Sequence, residues 1–220
     1  MPQLCICTDL KCKCSAYPDA LGVHYLTCSA GNHLKVRHEV LVKAAHEMVQ
    51  ATPCHSEHRH LEDALHGFFN SKGNKLVLDQ RITGWTEDRE DCGLDYAVCH
   101  PCAPSYLPVA NTTSLGAAAK REAAKIAKYD HACRAHDLKF LAPVLEVYGA
   151  MNQTAARLVR HAAKQLNNEL DANAVTTWTA DSFSAFHQQR IGIAVQRAQA
   201  KAIRLRAARD LRSSDNLGLV

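Results

Sequence analysis

LDYAVCHP at 94–101, SLGAAAKREAAKIAKYDHACRAH at 114–136 and FLAPVLEV at 140–147 decide the fold, since they read in turn as strand, helix and strand. The first is an apolar run of strand length stopped by Pro101. The second is alanine-rich and charged, built from residues that lose little on entering a helix. Working outward, KLVLDQRITGW at 75–85 has the branched, alternating pattern of an earlier strand, and turn residues at 88–93 separate it from the next. Over 32–50, Leu34, Leu41, Ala44, Ala45, Met48 and Val49 recur at helical spacing. Two more helices are expected at 153–170 and 183–212, separated by a polar loop at 171–181. The histidine-rich piece at 53–70 contains LEDALHGFF, which reads as a short helix. The order predicts an α/β fold with a small central mixed sheet flanked by helices.

At 220 residues the chain is long enough for one ordinary domain with appendages. Its ten cysteines do not imply disulfides, because MPQLCICTDLKC lacks the apolar run of a signal peptide. The reading is a reduced, intracellular protein, nuclear or cytoplasmic, and no window approaches the length of a bilayer span. The net charge of +4 is mild but unevenly placed: between Asp181 and Arg212 seven arginines and lysines face only Asp181 and Asp210.

CKCSAYPDALGVHYLTC at 12–28 carries a complete tetrahedral ligand set in Cys12, Cys14, His24 and Cys28. Thiolate and imidazole donors in fours suit a structural zinc with no position left for substrate. Pro18, Asp19 and Gly22 supply turns between the ligands. Cys5 and Cys7 form a second, surplus pair, and the alternative is a set of buried free thiols packing without metal.

Asp95 falls on a predicted strand, while Glu122 and Lys125 lie one helical turn apart on the next helix. A strand carboxylate facing a helical Glu/Lys pair is the equipment of metal-dependent phosphodiester cleavage: carboxylates for magnesium, a cation for developing charge. The plainer alternative is a solvated helix pair and a turn aspartate. His55, His58, His60 and His66 read either as a second metal site or as a polar loop, and Trp85 and Trp178 as packing or loop anchors.

These stretches, with VRHEVLV, EAAKIAKY, FLAPVLEVYGAM and QQRIGIAVQRAQAK, resemble in order and spacing the C-terminal region of reverse-transcriptase polyproteins from eukaryotic non-LTR retroelements. The resemblance covers roughly residues 12–208. It implies a zinc knuckle at 1–31, a restriction-endonuclease-like domain of the PD-(D/E)xK type at 32–170 and a basic C-terminal helix at 181–212. It also implies a magnesium-dependent endonuclease that nicks DNA, with RNA a further partner and the nucleus its location. The family's Cys-x-Cys, His and Cys pattern falls on Cys12, Cys14, His24 and Cys28, and its Arg-His helix start on Arg37 and His38. Its strand aspartate falls on Asp95, its Glu-x-x-Lys-x-x-x-Tyr helix on Glu122, Lys125 and Tyr129, and its Pro-x-x-Val-Glu-x-x-Gly strand is approximated by Pro143, Glu146 and Gly149. Lys125 resembles a migrated catalytic lysine, since the position two after Asp95 is Ala97.

The departure is on the first catalytic strand, where the family's Arg-Pro-x-Asp is replaced by QRITGWTEDRED, with Trp85 or Gly84 at the acidic position. Asp79 or Asp88 are the substitutes at hand, with Glu57 or Glu62 from further upstream. The alternatives to a nuclease are a catalytically decayed zinc- and DNA-binding remnant and a zinc-stabilised protein-interaction domain. Nucleic acid is expected on Arg37 at a helix entrance, where an ion pair is the alternative, and on Arg197, Lys201 and Arg204 of the last helix.

Overall fold

The computed structural model describes residues 12, 14, 22–28, 32–58, 67–70, 72–169 and 180–215, with side chains as far as 205. Six helices are described: α1 (Val23–Thr27), α2 (His33–Gln50), α3 (Leu107–Ala110), α4 (Gly116–Arg134), α5 (Gln153–Gln165) and α6 (Phe183–Asp215). Six short strands accompany them: β1 (Ser56–Glu57), β2 (Gln80–Ile82), β3 (Asp91–Leu94), β4 (Ala97–Cys99), β5 (Leu138–Leu141) and β6 (Val144–Glu146). The fold is mixed α/β, a small mixed sheet flanked by helices.

The sheet runs β1-β2-β3-β5, antiparallel across the first two junctions and parallel across the last. Gln80 sits opposite Leu94, so the start of β2 lies beside the end of β3. The helix α4 makes the crossover that a parallel β3–β5 pair requires. A second parallel pair, β4 and β6, continues the same two chain segments beyond a break. Pro143 has no N–H for a ladder, but its carbonyl accepts from Ala97 N at 3.1 Å, and Leu141 O accepts from Asp95 N at 3.3 Å. The strands expected at 94–101 and 140–147 are therefore each broken in the middle, at Asp95–Tyr96 and Ala142–Pro143. The break matters because Asp95 sits in it, its backbone N–H still bonded across to Leu141 O.

The expected strand at 75–85 is shorter than its pattern suggested, a regular ladder forming only over Gln80–Ile82. Residues 76–78 join no strand, and Leu76 N bonds back to Phe68 O at 2.9 Å. The helix read in LEDALHGFF falls mostly outside the described residues, as does the loop at 171–179. The helices α1 and α3, each a turn long, were not expected; both are too short for periodicity to register.

One face of the sheet packs under α2, α5 and α6, with Leu41, Met48 and Val49, Leu158 and Val159, and Phe183 and Val195 meeting Ile82, Cys92 and Leu94. The other face takes α4, through Tyr129, Ala132 and Cys133 against Leu78, Leu138 and Phe140. Gly93 permits that closeness, since a Cβ there would stand 2.7 Å from Leu78 Cδ1. Asn152 fastens α5 to the strands: its Oδ1 caps the helix from Ala155 N at 2.8 Å and accepts from Val144 N at 3.0 Å, and its Nδ2 donates to Ala142 O at 3.1 Å. The C-terminal helix is no appendage, since α6 packs along α2 and α5 within the same core and also meets α1.

Candidate functional site

The break after β3 and the start of β2 bring two carboxylates together. Ligand atoms of His38, Asp79 and Asp95 all lie within 4.8 Å of one another. His38 projects from α2, and its Nε2 is 3.0 Å from Asp79 Oδ2. The same oxygen accepts from Tyr96 N at 2.6 Å, so the interruption between β3 and β4 itself orients Asp79. The Tyr96 hydroxyl donates to Gln80 Oε1 at 2.5 Å, and Gln80 Nε2 donates to Ser56 Oγ at 2.7 Å, a buried chain that holds the residue after Asp79. From the opposite side α4 contributes Lys125, whose Nζ donates to Asp95 Oδ2 in a buried ion pair. Tyr129, one turn further along α4, is buried beside Asp95.

Burial, countered by Lys125 and reinforced by Asp79, raises Asp95 above an ordinary aspartate. Asp79 also feels burial, but its bonds to His38 and Tyr96 N bring it below the usual range. Two carboxylates in one site thus differ in proton affinity, as like charges at this distance require. His38 is opposed by its own burial yet raised by Asp79. Burial lowers Lys125, with Asp95 opposing, and pushes Tyr129 above the ordinary phenol range.

Of the residues the sequence singled out, Asp95, Lys125 and Tyr129 meet. Glu122 does not join them: its carboxylate accepts from the Thr154 hydroxyl of α5. Positions 122 and 125 differ by about 60° around a helix, enough for one to face α5 and the other the strands. Asp79 supplies the second carboxylate instead. It was one of the substitutes named from the sequence, inside the strand expected at 75–85, but only the antiparallel register makes it the neighbour of Asp95. Asp88 and Glu57 stand elsewhere, Glu57 being 3.3 Å from His55, and Glu62 lies outside the described residues. His38 carried no chemical assignment at the sequence level.

Arg37 is not the exposed helix-entrance residue that the sequence suggested. Only 7% of it is exposed, and its Nη1 donates to Leu26 O at 3.1 Å, joining α1 to α2. Arg197, Lys201 and Arg204 are exposed along α6, at i, i+4 and i+7 on one face. Of the histidines read as a second metal site, His58 stacks on His46, with ring centroids 3.8 Å apart, while His60 and His66 lie outside the described residues. Trp85 is buried in the core against His161.

The ligand atoms of Cys12, Cys14, His24 and Cys28 also lie within 4.8 Å of one another. Cys12 Sγ and Cys28 Sγ are 3.7 Å apart, and Cys14 Sγ is 3.6 Å from His24 Nε2. Tetrahedral bonds of about 2.3 Å to sulfur and 2.05 Å to nitrogen put such donors roughly 3.8 and 3.5 Å apart. The cluster can hold a metal ion such as zinc. The helix α1 presents His24, and Cys28 closes its end with N–H to His24 O at 2.9 Å. Cys5 and Cys7 lie outside the described residues.

No protein-family model, curated protein or solved structure matches the chain. No helix among the described residues is long and apolar enough to cross a membrane. What fold and geometry define is a mixed α/β domain that joins a four-donor Cys/His cluster to a buried dicarboxylate site with a lysine.

Proposed function

We propose that this chain is a divalent-metal-dependent DNA endonuclease domain that hydrolyses phosphodiester bonds, with Asp79, Asp95 and Lys125 as its central residues. The observation that carries this reading is the meeting of Asp79, Asp95 and His38 within 4.8 Å, with Lys125 on Asp95. Topology supports it: a helix, three antiparallel strands, a crossover helix and a parallel strand, with the acids on adjoining strand ends, is the layout expected of a restriction-endonuclease-like domain. The resemblance over residues 12–208 supplies DNA as the substrate class and a retroelement as the origin.

Two carboxylates and an imidazole suit a divalent cation that keeps water among its remaining ligands. Such an ion supplies a polarised phosphoryl oxygen and an activated water when bound. Asp79 and Asp95 would hold it, and Tyr96 N and Gln80 keep Asp79 in place before it arrives. The Lys125 ammonium stands where negative charge develops on the phosphoryl oxygens. The zinc cluster is structural in this reading, fixing α1 against α2 and α6.

A second reading, a DNA-binding remnant without hydrolysis, draws on the Lys125–Asp95 ion pair, which engages a carboxylate oxygen that a metal would use. Supercoiled plasmid separates the two. Nicking that needs magnesium or manganese and disappears in Asp95→Ala establishes the nuclease, whereas binding without nicking under either metal leaves the remnant.

A further inference from the structure

The dicarboxylate site opens through His38 and Lys125 onto a cationic cleft of about 270 Å³, walled by α2, by the β3–β4 junction and by α4. Arg37 and His38 line one wall, Arg121 and Lys125 another, and Ala97 contributes to a third. Three cations therefore line a space large enough for a phosphate together with the sugar that carries it. Lys125 is paired with Asp95, but Arg121 is exposed and makes no ion pair among the described residues. Arg37 brings a guanidinium that is only 7% exposed, with its Nε lacking a hydrogen-bond partner among the described residues. A buried guanidinium N–H left unmatched costs free energy.

We infer that this cleft is a binding site for a terminal phosphate monoester, the 5′-phosphorylated end of a nucleic-acid strand. A terminal phosphoryl group carries nearly two charges at neutral pH, its second ionisation lying near about 6, whereas each internal phosphodiester carries one. Two guanidinium groups and an ammonium match the former better. Size agrees, because a cleft of this volume admits a chain end and excludes a duplex. The strand as ligand rests on the proposed nuclease reading; the preference for a phosphate dianion rests on the cleft alone.

The test uses the full, zinc-loaded chain without magnesium and two oligonucleotides of one sequence, labelled at the 3′ end, bearing either a 5′-phosphate or a 5′-hydroxyl. Fluorescence anisotropy is expected to give about tenfold tighter binding of the phosphorylated strand, the effect of a charge-assisted contact. Arg121→Gln, at an exposed position that leaves the fold intact, is expected to abolish that preference, and Arg37→Gln to do the same if its circular dichroism is unchanged. Equal affinity for the two strands, or a preference that survives Arg121→Gln, would overturn the inference. So would inorganic phosphate binding as tightly as the phosphorylated strand, which would assign the cleft to small phosphates. Failure of the nuclease reading looks different: plasmid stays intact with metal while the 5′-phosphate preference remains.

Discussion

Glu122 and Asp79 exchange roles once the chain is folded. On a linear reading Glu122 is the acid one turn from Lys125, yet its carboxylate is taken by Thr154, while Asp79 meets Asp95 across the β2–β3 register. Asp79→Ala is therefore expected to lower metal-dependent nicking at least 100-fold, and Glu122→Gln to lower it by less than about threefold; single-turnover plasmid assays decide. Equal losses would return Glu122 to the site. His187 gives a stability prediction at the same scale. It is buried between Phe183 and Phe186, its Nδ1 lacks a partner among the described residues, and burial, with Arg190 nearby, lowers it to about 4. The folded state then binds fewer protons than the unfolded one between about 6.5 and 4, so stability falls as pH drops through that window. The loss reaches about 3 kcal/mol, read as a falling Tm, and His187→Leu should flatten the profile between those pH values.

Among the elements, α1 depends most on something outside its own sequence. Five residues cannot hold a helix in water, so its stability comes from burial of Tyr25 and Leu26, from Arg37 on the Leu26 carbonyl and from the cluster around His24 and Cys28. Cys28→Ser is expected to remove about one equivalent of bound zinc, measured by elemental analysis, and to lower Tm by several degrees. Full zinc content in that variant would remove Cys28 from the ligand set. The strands teach a different lesson. LDYAVCHP and FLAPVLEV each read as one strand, but both break at the same level of the sheet, around Asp95 and Pro143. Pro143 was a legible reason for one break. The other follows from its partner, since parallel pairing passes the interruption from one strand to the next, and periodicity within a single strand does not carry that information.

For the whole molecule, the basic C-terminal helix is both wall and surface. Phe183, Ile191 and Val195 sit in the main core while Arg197, Lys201 and Arg204 face outward. If that face tracks a phosphate backbone, replacing all three with alanine should reduce the slope of log affinity against log salt by about 2 to 3 while leaving Tm within about 2 °C. An unchanged slope would make the face merely solubilising. The chain's own sequence determined the helices α2, α4, α5 and α6 and the Cys/His ligand set. All of these are local, written in spacing over one or two turns or in a few donors close along the chain. The tertiary structure alone decided that Asp79 and His38 complete the carboxylate site, that Glu122 leaves it, and that Arg37 is buried at a cleft. Each of those depends on which residue stands opposite which across strand register and helix packing. Those contacts join positions from about 15 to about 90 residues apart, a range over which local propensity carries no signal.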